Sequence, residues 1–364
     1  MKRIISVLLA LVLVLAITAC TKKPVEEEVI QDSETPTETQ SETPVTETTP
    51  DPDAITGPIN PLTGVQIDED ISSMRPYAIM MNNINIAQPQ QGISKADIIY
   101  EVPVEGGITR MLAVYQDVSD VGVIGSIRSA RHYYVDLVQA HDSVYIHAGG
   151  SNQAYDTLYA RDITRLDGVH GARQEIFYRD QERRSKMGYE HSLMSSGELI
   201  SENVPTYGYQ IEHEDGFECN MQFSSKEEQT AAGLSAEKIN VEFSRSKDTL
   251  FEYSSGDGQY YVSQYGGKYE DGNDQTQVNV KNVLILFTTI YQIAGDNAGR
   301  LNVELVGDGA GYYACGGKYI EITWSRESNS SQFVYKTADG LPLVFGRGSS
   351  YISIISESAN VDFE

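Results

Sequence analysis

Between Thr21 and Pro58 the chain reads TKKPVEEEVIQDSETPTETQSETPVTETTPDPDAITGP, a stretch that cannot contribute to a hydrophobic core. Thr, Glu and Pro dominate it, aliphatic clusters are nearly absent, and ten acidic residues face two lysines. So little apolar surface cannot offset the entropy of ordering the backbone, so the segment is expected to remain an extended, self-repelling tether. Whatever folds must therefore lie after it, from Asn60 to Glu364.

What precedes the tether fixes where the folded part works. Met1-Lys2-Arg3 is a basic start, an apolar run extends from Ile4 to Ile17, and Thr18-Ala19 leads into Cys20. The run is shorter than the ~20 residues a spanning helix needs, so it reads as an export signal. The small residues before Cys20 have the pattern of a bacterial lipobox. Residues 1–19 are then a signal peptide, and Cys20 is the lipidation site, its thiol carrying a diacylglyceryl group with acyl chains such as palmitate. Two or more chains anchor far more firmly than one. The expectation is a lipoprotein on the outer face of the cytoplasmic membrane, extracytoplasmic, with 20–59 as its tether.

Of the formal net charge of −25, the tether accounts for −8 and Lys2 with Arg3 for +2, which leaves −19 on the folded part. That balance argues against nucleic acid, whose phosphates are bound through a basic surface. Beyond Cys20 only Cys219 and Cys315 remain, too few for a disulfide framework, and whether they pair is left open.

The length from Asn60 onward suits two domains better than one core. Strand-like and helix-like stretches alternate over 60–222: RPYAIMMNN, ADIIYEVPVEGG, ITRMLAVYQD, then a helix in RSARHYYVDLVQAH, a strand in SVYIHA and a helix in NQAYDTLYAR. From Lys238 onward the chain is strands punctuated by Gly-Asp and Gly-Gly turns. Ser225 and Glu228 have the spacing of a capping box, which predicts a helix joining the halves. The fold class expected is α+β: an N-terminal mixed α/β domain, 60–222, followed by a mainly antiparallel β domain, 223–364.

Eight of the 15 arginines fall in residues 126–184, a local reversal of the overall charge. With Ser126 or Ser129 as a helix cap, Arg128 and Arg131 would stand three apart near the positive end of a helix, a place suited to an anion. Gly149-Gly150-Ser151 forms a second strand-to-helix turn whose N–H groups could face an anion. His147 tips the strand that leads into it, where α/β layers place ligand residues. Arg179, Arg183 and His191 follow in FYRDQERRSKMGYEHSLMSS. The plain alternative is that these arginines pair with local carboxylates and that His147 is a half-buried strand residue.

No metal site is expected, because the histidines lack the helical pair of a zinc protease and DGNDQT (271–276) departs from a calcium loop at Gln275 and Thr276. That stretch reads as a hairpin turn. No cofactor is implied, since GDGAGYYACGG is followed by strands where a dinucleotide motif needs a helix.

Together PLTG, RPYAIMMNN, ADIIYEVPVEGGITRMLAVY, IGSIRSAR, HAGGS, FYRD followed by RR, KNVLIL and GDGAGYYACGGKYIEITW resemble the YerB-like bacterial lipoproteins, over Asn60 to Ile355. That family pairs an N-terminal and a C-terminal domain behind a lipobox. The resemblance implies an envelope protein whose signature features are the Arg128/Arg131 segment and the His147-Gly149-Gly150 turn, and it supplies no reaction. The family usually has Pro-His-Asn after its arginine-rich loop, whereas Glu190-His191-Ser192 stands here, with His191 kept.

Two functions follow as expectations. In the first, the chain is a membrane-held binding or accessory protein whose partner is a wall component or envelope protein, with a phosphate or carboxylate held at Arg128, Arg131, His147 and Gly149–Ser151. In the second it is an enzyme on a wall glycopolymer or its lipid-linked precursor, with His147 or His191 as acid/base. A hydroxyl or carboxylate bonded to His147 would favour the enzyme.

Overall fold

The computed structural model describes residues 55–171, 174–227 and 229–364. The signal, Cys20 and the tether as far as Ala54 lie outside these residues, as do Arg173 and Glu228.

Runs such as Tyr77–Asn83 and Asn282–Thr288 have continuous apolar centres and are buried at almost every position, the pattern of strands covered on both faces. They sit inside one large mixed sheet. Its order is Leu234–Ser235, Lys318–Arg326, Gly307–Cys315, Asn282–Thr288, Ser350–Ser356, Ile98–Pro103, Thr109–Tyr115, Tyr77–Asn83, Val144–His147 and Arg165–Asp167, and Val334–Thr337 also pairs with Lys318–Arg326. Strands from 60–222 and from 223–364 meet where Ile98–Glu101 runs parallel to Ser350–Ser353, so both halves share this sheet.

Side chains alternate across it with a period of two. One face, including Tyr100, Leu112, Val114, Leu284 and Ile352, is covered by two helices, α1 (His132–Ala140) and α2 (Asn152–Ala160), through Tyr133, Tyr134, Leu137, Ala154 and Leu158. The other face, including Ile79, Met81, Ile99, Met111 and Tyr351, packs against Ile239, Val241, Phe251 and Val262 of a second sheet. That sheet is antiparallel and is built on Lys238–Ser244, Lys247–Ser254 and Gln259–Gln264, with Val361–Phe363 at one edge. The architecture is α+β with a mostly β C-terminal region, as the sequence predicts.

The turn at Asp271 docks the second sheet on the first half. Asp271 is 1% exposed and its carboxylate accepts from Gly92 N–H, Ser94 N–H and Ser94 Oγ–H, while Gly272 N–H donates to Gln90. Cys219 and Cys315 are unpaired; the Cys219 thiol donates to the Pro61 carbonyl at 3.3 Å.

The helix predicted from Ser225 is absent from the described residues: turns lead to the short strand Leu234–Ser235. Local side-chain bonding wins over the helical ladder there. Ser224 Oγ accepts from Lys226 N–H, and the Gln229 side chain is drawn away to Pro342 and Val344.

Candidate arginine-rich site

Residues Ile127–Ala130 run extended between two strands, because Arg128 N–H donates to Met80, Ala148 N–H to Arg128, and Ala130 N–H to Gly149. With the backbone committed to those bonds, the helix cannot begin before His132, and Arg131 is its N-cap residue. The expectation of two arginines in one helical first turn is therefore corrected: on an extended segment, they point to different partners.

Arg131 is 6% exposed and holds Glu105 through Nε at 3.0 Å and through Nη2, while Nη1 donates to the Ala130 carbonyl. Arg128 donates from Nη1 to the Glu190 carbonyl at 2.7 Å and from Nη2 to the Glu190 carboxylate at 3.1 Å. Its Nε is buried without a hydrogen-bond partner. The Glu190 side chain is 67% exposed.

A third guanidinium belongs to this group. Arg110, on the Thr109–Tyr115 strand, donates to the Ser129 carbonyl and stands 3.8 Å from Glu105. Burial, reinforced by the positive charges of Arg131 and Arg128, holds it down to about 10. Burial pushes the Glu105 carboxyl up, but Arg131 and Arg110 outweigh it and leave the group below its ordinary value. Arg128 likewise holds Glu190 low. Sequence reading missed Arg110, Glu105 and Glu190, although an arginine inside the apolar run ITRMLAVY is itself a signal, because such a charge is rarely buried unpaired.

His191 lies beside Arg128, 7% exposed, with Nδ1 2.9 Å from Asn82 Nδ2. As the amide nitrogen can only donate, Nδ1 accepts and the ring proton sits on Nε2, 3.9 Å from Glu190. Burial, then Arg128, lowers its pKa. Arg183 also comes close, yet it is consumed: Nη2 donates to Ala87, Nη1 to Pro89 and Nε to His191, all backbone carbonyls.

The His147 turn forms a separate knot. His147 is fully buried, not half-buried, with Nδ1 2.9 Å from the Gly149 carbonyl and Nε2 without a hydrogen-bond partner. Burial lowers its pKa and favours the neutral ring. Gly149 N–H donates to Asp167, Ser151 N–H donates to Ala130, and Ser151 Oγ caps α2 by accepting from Ala154. Two of the N–H groups expected to face an anion are thus spent inside the fold; Gly150, between them, packs against Tyr155 and Ala154. Nearby, a cleft of about 360 Å³ is lined by Asp167, Val169, Phe177, Arg179, Tyr189 and Leu193. Arg179 stacks over the Tyr189 ring at 3.9 Å and donates to the Tyr189 carbonyl. Among the described residues no group of three or more His, Cys, Asp or Glu could hold a metal ion.

Two family models match, described as the N-terminal and C-terminal domains of a protein of unknown function (DUF3048), over residues 62–210 and 239–352. A relative from Bacillus subtilis (strain 168), YerB, named as a lipoprotein, is 28% identical over 306 residues, 82% of this chain and 86% of its own. The crystal structure of YerB protein from Bacillus subtilis superposes with a TM-score of 0.72 at 27% identity, covering 84% of this chain and 99% of that one. The chain belongs to the YerB-like family. Both ends of the arginine group, Arg110 and Glu190, fall within the matched N-terminal domain of this family, and the shared sheet joins the two matched domains through Ile98–Tyr100 and Ser350–Ile352.

Proposed function

We propose that this YerB-like chain is a membrane-held extracytoplasmic binding or accessory protein of the cell envelope, and that its N-terminal half holds the phosphate or carboxylate of a wall polymer or peptide at Arg128. The relative's name as a lipoprotein and the Cys20 pattern support the anchored placement. One observation carries the anion reading: three guanidiniums, Arg110, Arg128 and Arg131, share two carboxylates, and one of those, Glu190, is 67% exposed. An exposed ion pair contributes little, about 0–1 kcal/mol. A ligand anion can therefore take the place of the Glu190 carboxylate on Arg128 Nη2. Arg179 and Tyr189, at the rim of the neighbouring cleft, would meet the rest of the ligand. His147 bonds to a backbone carbonyl and to neither hydroxyl nor carboxylate, which favours binding over the enzyme reading.

Thermal shift of the purified full chain with inorganic phosphate, sugar phosphates and wall fragments tests this. Stabilisation by bound anion follows ligand concentration over Kd. Arg128→Ala is expected to abolish the shift and Glu190→Gln to enlarge it. Equal shifts in the parent and Arg128→Ala refute the assignment.

A further inference from the structure

Between the two sheets, outside the arginine site, lies a second polar cluster buried to an unusual degree for its charge. Glu101, Asn83, Thr109, Thr249 and Tyr351 are 0% exposed and Lys247 is 1% exposed. Glu101 stands at the centre. Its Oε1 accepts from Asn83 Nδ2 at 2.8 Å and from Thr109 Oγ at 2.6 Å, and lies 2.8 Å from Lys247 Nζ. Its Oε2 accepts from Thr249 Oγ and from Tyr351 O–H, both at 2.7 Å. Lys247 Nζ also donates to Thr249 Oγ at 2.6 Å, with the rings of Phe243 and Tyr265 at 5.2 and 5.4 Å.

A single carboxylate oxygen thus bonds both an amine and a side-chain amide in a dry, partly aromatic pocket, with the Asp248 carbonyl as the amine's remaining acceptor at 2.7 Å. We propose that Lys247 and Asn83 are joined by an intramolecular amide bond, formed in the folded chain with Glu101 as the proton carrier. The chemistry balances without any outside reagent. The Lys247 ammonium gives a proton to Glu101 and becomes a free amine. Its nitrogen attacks Cγ of Asn83 and forms the new C–N bond. The Cγ–Nδ2 bond breaks, and the nitrogen's surplus proton goes to the leaving group, which departs as ammonia. Glu101 hands the proton it received to the departing ammonia, which leaves as ammonium. Nothing is oxidised or reduced.

Each requirement has a counterpart in the cluster. The amine must be neutral to attack, and burial lowers the Lys247 pKa despite Glu101 beside it. The amide must be held near the amine: both bond Glu101 Oε1, and Asn83 is further fixed through Thr109 on Nδ2 and through Gln88 on Oδ1. Fixing both partners in the fold removes the entropy cost of a bimolecular reaction. Water, which would compete for the amide carbon, is kept out by complete burial. The bond would tie the Tyr77–Asn83 strand of the large sheet to the Lys247–Ser254 strand of the second sheet, and the N-terminal family domain to the C-terminal one. Such a link holds the two layers together when a lipid-anchored protein is pulled at its tether.

Peptide mapping by mass spectrometry decides the matter. The purified full chain is unfolded, digested, and searched for a branched peptide carrying both Asn83 and Lys247. The expected mass is that of the two linear peptides less one ammonia. Recovery of both linear peptides without the branched one overturns the proposal and leaves an ordinary buried ion pair. A branched peptide joining Lys247 to Glu101, lighter by one water, overturns it as well. Lys247→Arg and Glu101→Ala, where they yield soluble protein, are expected to give only linear peptides. The branched peptide persisting in Glu101→Ala would refute the role given to Glu101. If the substituted chains do not fold, the measurement on the parent alone still decides.

Discussion

Lowering the pH should draw stability out of this protein through the buried His141 among other groups, and replacing that histidine should remove its share. His141 closes α1, is 8% exposed, and has Nε2 2.7 Å from the hydroxyl of the buried Tyr100. Burial, with Arg326 and His213 nearby, pushes its pKa down to about 4. An unfolded histidine titrates near 6.5. As the pH falls through that value the unfolded chain takes up a proton that the folded chain refuses, so the stability present above pH 6.5 drains away down to about pH 4. The full effect is about 3 kcal/mol, of which about 2 kcal/mol is spent by pH 5. Asp97 works in the opposite direction. Half-buried and bonded to Asn60 and to Gln116 N–H, Asp97 is pushed up to about 6, chiefly by desolvation of its carboxyl. Its folded state takes the proton first, which adds about 1 kcal/mol between pH 7 and pH 5. The parent should lose about 1 kcal/mol over that interval from these two groups together, whereas in His141→Gln only the opposing Asp97 contribution of about 1 kcal/mol remains of the pair. Urea unfolding at pH 7 and pH 5 measures this, provided the slope with urea is unchanged. At pH 7 the variant starts lower, because Tyr100 loses its partner; the gap should close by about 2 kcal/mol at pH 5. If parent and variant lose stability in parallel, His141 is not the group that senses pH.

Two further outcomes test how the fold is held. Ser151→Ala removes the side-chain cap of α2 and should cost about 1 kcal/mol, read as a lower Tm, while leaving any anion response at Arg128 intact. Gly197→Ala places a Cβ 1.7 Å from the Val118 carbonyl oxygen, a backbone atom that cannot step aside. That variant should be recovered mainly unfolded, whereas Gly267→Ala, which meets nothing within 4 Å, should melt like the parent; similar melting of both would contradict the packing around Gly197.

Much of the fold was legible because its signals are local. Ser151 before Asn152–Ala160 is a cap with its helix, and the strands from Lys238 onward are bounded by turn residues that the structure keeps. The pairing of Ile98–Pro103 with Ser350–Ser356 was not legible. Parallel partners that far apart in sequence meet through backbone bonds and a shared apolar face, neither of which marks a specific partner strand. The same limit explains the helix expected at Ser225: a capping-box spacing describes what a segment could do alone, and Gln229 instead serves Pro342 and Val344.

For the site, a count of arginines said where cations gather but not what each one faces, and that difference decides which can exchange ligands. Arg183 donates to three backbone carbonyls, which an incoming anion cannot replace without unmaking the loop at Ala87–Pro89. Arg131 grips Glu105 with two nitrogens at a site only 6% exposed, so release would leave a charge buried and unpaired. Arg128 alone of the three combines an exposed carboxylate partner with a guanidinium nitrogen that has none. The carboxylate comes from Glu190, sixty-two positions away, reaching Arg128 over a loop whose path the sequence near Arg128 does not contain. Composition therefore nominated the right region and too many of its residues. The partner's chemistry, carbonyl against carboxylate, and the partner's exposure single out Arg128 as the place where a ligand can enter.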